Sequence, residues 1–154
     1  YLIQARYRRD EDFALYDPLW EQFYGHLTAD EKRAAVAATR ERILVQFYHS
    51  GRGRLSWDEV EHMGCREIDA VADWLGEQAY LFGHAPTSAD CAVYAFLQGL
   101  IYVPFENGIK AHALAKPRIT AYMRRISERH YPELRQTPRP ARHVRDRLPL
   151  SGYG

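Results

Sequence analysis

The chain has 154 residues, enough for one domain that buries roughly two thirds of its unfolded surface. With a formal net charge of +1 and an ordinary globular composition, the overall electrostatics argue for no particular partner. The charge is uneven all the same: residues 135–154 hold five arginines against one aspartate, a net +4, which leaves −3 for residues 1–134.

In chain order, residues 1–9 (YLIQARYRR) read as the end of a helix with too few turns to fix its phase. They open on Tyr1 rather than Met, inside a helical pattern and without a signal sequence, which points to a chain cut from something longer. The acidic run Asp10 to Asp12 breaks the pattern. Asp17-Pro18 then offers a capping carboxylate before a proline at the first helical position, and Leu19, Trp20, Phe23, Tyr24 and Leu27 follow at helical spacing.

Thr28-Ala29-Asp30-Glu31 is a capping box, in which hydroxyl and carboxylate satisfy each other's backbone N–H at a helix start. The long helix behind it carries an apolar stripe of Val36, Ile43, Leu44, Phe47 and Tyr48. Gly51-Arg52-Gly53-Arg54 ends it. No strand precedes this GRGR, so it reads as a basic cap and loop rather than a phosphate-binding turn. Ser56 to Glu59 is a second box, opening a helix with Val60, Met63, Gly64, Ile68, Val71, Ala72 and Leu75 on one face and Gly76 at its end.

After a connector that holds Tyr80-Leu81-Phe82-Gly83, Thr87-Ser88-Ala89-Asp90 forms the third and sharpest box. The run that follows, Cys91 to Ile101, is apolar on nearly every side, and this predicts a buried central helix over about 88–103. Gln98, Gly99 and Pro104 make it too short and too interrupted to span a bilayer. Beyond an Asn107-Gly108 turn lie one or two helical turns to Ala115, and Pro117 opens a last helix with Ile119, Tyr122, Met123 and Ile126 inward. No β-type alternation exceeds four residues, so the fold is all-α, with five to seven helices in one domain over 1–134.

The tail 135–154, with Pro138, Pro140 and Pro149 among its arginines, has too little apolar surface to fold alone. Tyr153 is its one aromatic, so base stacking is not expected and nucleic acid is not the predicted partner.

Candidate chemistry is sparse. Cys65 and Cys91 lie in apolar helical patterns without ligand spacing, which reads as buried free thiols in a reducing, cytoplasmic setting. Seven histidines are scattered without an HxxxH pair, so no metal site is expected. Ser88 lacks the G-x-S-x-G frame of a nucleophile, and Asp90 is explained by capping rather than acid catalysis. Thr87 and Asp90 are therefore structural, and no catalytic residue is assigned.

Tyr80-Leu81-Phe82-Gly83 followed by Pro86-Thr87-Ser88-Ala89-Asp90 resembles the opening of the core helix in the C-terminal helical domain of the glutathione S-transferase superfamily. Gly51 to Glu59, Asp73-Trp74-Leu75-Gly76, Tyr102 to Phe105 and Arg129 to Pro132 resemble more narrowly the branch of metaxins and failed-axon-connections proteins. The resemblance covers residues 1–134. It implies a helical bundle that supplies the co-substrate wall and the domain or homodimer interface. Glutathione and the catalytic Tyr, Ser or Cys then belong to an N-terminal thioredoxin-like domain absent from this chain, which would bind no cofactor and be catalytically silent alone. It also implies that Arg6 and Tyr7, on the first helix, face the co-substrate cleft. The residues themselves favour a solvated Arg6 and a Tyr7 packed in the core. The alternative function is a non-catalytic, metaxin-like interaction module.

Overall fold

The computed structural model describes residues 2–132, and every regular element among them is helical. The basic tail at 135–154 lies outside the described residues. Two compact units are present, residues 2–55 and 56–132.

The first unit comprises α1 (Leu2–Arg8), α2 (Asp10–Ala14), α3 (Asp17–Tyr24) and α4 (Ala29–His49), followed by a 3-10 turn at Arg52–Arg54. α1 packs on α2 and α4, and α3 packs on α4. The acidic run that reads as a break is itself a helix. Its three carboxylates fill the first turn of α2, where the positive end of the helix dipole favours them. Tyr16 rather than Asp17 occupies the N-cap of α3, which moves Asp17 and Pro18 one position into the helix.

The box at α4 forms as the spacing predicts: the Thr28 N–H donates to Glu31 Oε2 at 2.9 Å, and the Glu31 N–H donates to Thr28 Oγ1 at 3.4 Å. The stripe behind it does not become a buried face. No residue of α4 is buried and Tyr48 is exposed, because the apolar side chains are spread around the helix rather than gathered on one side. Gly51, at φ +87°, ends α4 in the conformation that glycine adopts without strain. Gln4 Nε2 and Arg8 Nη1 donate to the carbonyls of Arg52 and Leu55, at 2.7 and 2.9 Å, and hold α1 against that turn.

The second unit comprises α5 (Trp57–Leu75), α6 (Ser88–Ile101), α7 (Gly108–Leu114) and α8 (Pro117–His130). α5 and α6 each pack on both α7 and α8. Val60, Ile68, Ala72 and Leu75 of α5 and Ile119, Tyr122, Met123 and Ile126 of α8 are buried, as their 3.6-residue spacing predicts. Met63 departs from its stripe and is exposed. A Cβ on Gly64 would stand 2.9 Å from Ile109 Cγ1 and closer still to Cδ1, so glycine is what lets α5 and α7 approach.

α6 buries Asp90, Tyr94, Leu97, Leu100 and Ile101. Its other side, with Cys91, Ala92, Ala95 and Phe96, is exposed, more open than an all-round apolar helix predicts. The connector before α6 turns at Tyr80 to Gly83, where the Tyr80 N–H donates to the Gly83 carbonyl at 2.9 Å. Lys110, nearly fully buried, donates from Nζ to the Val103 carbonyl and to Glu106, at 3.2 and 2.8 Å.

Candidate functional site

In the first unit, α1 to α3 converge on a cluster of aromatic and polar groups. The Tyr7 ring lies 5.8 Å from Phe13 and 6.3 Å from Trp20, so it packs inside an aromatic group, half-buried. Arg6, next to it, places its guanidinium 4.4 Å from the centre of the Tyr16 ring. Its Nε is buried without a hydrogen-bond acceptor, a state the attraction of a cation for a ring face offsets only in part.

Asp12 and Tyr16 border the same place. Burial pushes the Asp12 carboxyl up, eased by Arg9, whose Nε is 3.5 Å from Oδ2 while its shorter contact, 2.6 Å, goes to Glu11. Burial likewise raises the Tyr16 phenol, and the Arg6 charge opposes it. These groups can hold a proton and orient a polar molecule; they present no activated nucleophile.

Arg40 closes the cluster from α4. Its Nε donates to the Tyr7 carbonyl at 2.8 Å, its Nη2 contacts Asp10 Oδ1 at 2.7 Å, and its guanidinium lies over Phe13. One side chain thus caps the C-terminal end of α1 and anchors α2. Sequence reasoning passed over Arg40, Asp12 and Tyr16. A signal for Arg40 was present, since it sits four residues from both Val36 and Leu44, in line with an apolar stripe.

Between α2, α3 and α4 runs an open groove of about 890 Å³, with Phe13, Trp20, Val36 and Leu44 among its apolar lining. Arg6 and Tyr7 do not line it; Tyr7 packs against two residues that do, Phe13 and Trp20.

In the second unit Asp90 is a hub. Its Oδ2 accepts from the Thr87 N–H at 2.8 Å and from the Thr87 hydroxyl at 2.9 Å, and its Oδ1 accepts from the Leu81 N–H at 2.9 Å and the Tyr122 hydroxyl at 3.2 Å. Burial acts to raise its carboxyl, but the hydrogen bonds outweigh it and the net displacement is downward. Burial of the Tyr122 ring, and after it the ionised carboxylate of Asp90, push the phenol upward. Every Asp90 oxygen is engaged, which leaves none to abstract a proton from a substrate. The spacing of Thr87 and Asp90 predicts the box; Leu81 and Tyr122 are partners only the fold supplies.

The thiols differ from their expected burial. Cys91 is exposed on the open side of α6, and Cys65 is half-buried with its thiol raised by burial and by Glu61 and Asp69. His112 Nε2 and Lys116 Nζ share Asp69 Oδ1, at 2.8 and 2.5 Å, and Lys116 is the stronger influence holding that carboxyl down. Among the described residues no group of three His, Cys, Asp or Glu could hold a metal ion, and no helix is long and apolar enough to cross a membrane.

Residues 64–126 match the glutathione S-transferase C-terminal domain family. The isoprene-epoxide–glutathione S-transferase of Rhodococcus sp. (strain AD45) is 30% identical over 129 residues, 84% of this chain and 53% of that protein. The chain spans about half the length of this curated relative. No solved structure matches it.

Proposed function

We propose, from the match of residues 64–126 to the glutathione S-transferase C-terminal domain family, that this chain is the helical half of a glutathione-dependent transferase. It supplies the co-substrate wall and the domain or dimer interface, in a cytoplasmic setting. Thiol activation belongs to a thioredoxin-like half. The observation that carries this reading is the 30% identity, across 84% of the chain, to the isoprene-epoxide–glutathione S-transferase. The Asp90 hub is consistent with it, since this buried carboxylate is spent on seating a helix rather than on chemistry. Arg6 and Tyr7 are the residues that the resemblance assigns to this wall, although Tyr7 packs against Phe13 and Trp20 and Arg6 lies over the Tyr16 ring.

The test is glutathione conjugation of a small epoxide by the full-length protein. Tyr7→Phe and Arg6→Gln are expected to raise KM for the epoxide while glutathione affinity stays unchanged, and residues 1–154 alone are expected to show no turnover. Turnover by the 154-residue chain, or a full-length protein with no affinity for glutathione, overturns the reading.

A metaxin-like interaction module is the second reading, favoured by one observation. Trp74 and Phe82 are both more than half exposed and stack edge-to-face at 5.8 Å on the second unit, and exposed aromatics of this kind mark contact surfaces. An upstream half lacking the catalytic Tyr, Ser or Cys would decide for it.

A further inference from the structure

The groove in the first unit sets apolar side chains among charged ones. At about 890 Å³ it falls in the range that holds one drug-sized molecule. Its cations are already engaged: Lys32 pairs with Glu21, Arg33 with Asp30, and Arg40 with Asp10. Two of its carboxylates are not: Asp17 and Glu41 line the groove, are exposed, and have no ion-pair partner among the described residues. α4, which forms one wall, buries no residue of its own, so its apolar side chains there stay open to a ligand.

We infer that this groove binds an amphiphilic organic cation, its apolar body against Phe13, Trp20, Val36 and Leu44 and its charged end towards Asp17 and Glu41. An anionic ligand has to compete with the carboxylates already paired to Lys32, Arg33 and Arg40. A neutral one gains the apolar contact alone. The site requires no glutathione and stands apart from the transferase reading.

The experiment is calorimetric titration of the full chain with decyltrimethylammonium, decanoate and decanol, each kept below aggregation. The cation is expected to saturate at one per chain and to bind at least about threefold tighter than the other two, the scale of one or two exposed charge contacts. Asp17→Asn with Glu41→Gln should remove that preference and leave decanol affinity unchanged. Val36→Gln with Leu44→Gln, both half-exposed on α4, should weaken all three ligands with circular dichroism unaltered. Equal affinities, preference for the anion, or binding indifferent to the α4 pair overturns the proposal. So does a dimer in sedimentation that the α4 pair dissociates, since the groove would then belong to a second copy.

Discussion

The hydroxyl of Tyr122 donates to Asp90 Oδ1 at 3.2 Å, thirty-two residues away, and joins the last helix to the first turn of α6. Asp90 is almost fully buried and holds two backbone N–H groups besides. Tyr122→Phe should therefore cost about 1–2 kcal/mol, one buried hydrogen bond to a charge. Asp90→Ala should cost about 3 kcal/mol or more, because it leaves the Leu81 and Thr87 donors unsatisfied. Urea denaturation of each variant gives the comparison, and a Tyr122→Phe loss as large as that of Asp90→Ala would contradict it.

Two buried carboxylates pull the acid stability in opposite directions. Asp90 is displaced downward, so the stability it contributes is fully present above its unfolded pKa near 4 and is lost as pH falls through its folded value. Asp12 is displaced upward, so the folded state takes up its proton first, and the cost of burying its charge is relieved as pH falls from neutrality towards about 4. Wild type should accordingly gain on Asp12→Asn as pH is lowered across that range, and should keep a constant lead over Asp90→Asn until pH drops below about 4, where that lead shrinks. Thermal midpoints of the three proteins between neutral and acid pH measure both slopes.

Gly64→Ala removes a helix-weakening glycine, a gain of about 1 kcal/mol in an open helix. Here the added methyl meets Ile109, and overpacking of this kind costs about 1–3 kcal/mol. Net destabilisation is expected, with partial recovery in Gly64→Ala combined with Ile109→Val. A double-mutant cycle in denaturant reads the coupling, and additive effects would place the two side chains out of contact.

Arg40→Ala releases the Tyr7 carbonyl and the Asp10 contact together and should cost about 1–2 kcal/mol. Because both partners lie at the α1–α2 junction, amide exchange should rise there and stay unchanged in α5 to α8. Uniform loss of protection would mean that Arg40 does something other than hold α1.

Exposed Cys91 should take up iodoacetamide in the native state well before Cys65, whose thiol is held protonated by burial and by two neighbouring acids. Mass spectrometry of the singly labelled protein identifies the site. Cys91→Ser should then leave only slow labelling.

The elements a short stretch of sequence can specify by itself were the ones legible in it. A capping box closes over three residues, so Thr28, Ser56 and Thr87 announced the starts of α4, α5 and α6 without knowledge of the fold. One-sided apolar spacing likewise identified the inward residues of α8 and of α5, though it also took in Met63 and Val71, which are not buried. The groove and the α1–α3 cluster were not legible, because Arg6 meets Tyr16, and Arg40 meets Tyr7, across turns whose direction no local pattern states.

Asp90 marks the boundary between the two kinds of information. By itself the sequence determined that this residue caps a helix, since the partner is three positions away on the same chain segment. Only the tertiary structure decided that the carboxylate also receives Leu81 and Tyr122, and that the apolar helix it starts keeps Phe96 and Cys91 in the open. Covering a helix face takes neighbours distant in sequence, and their approach is set by packing, such as the close fit of Gly64 on Ile109, that no stretch of the chain encodes alone.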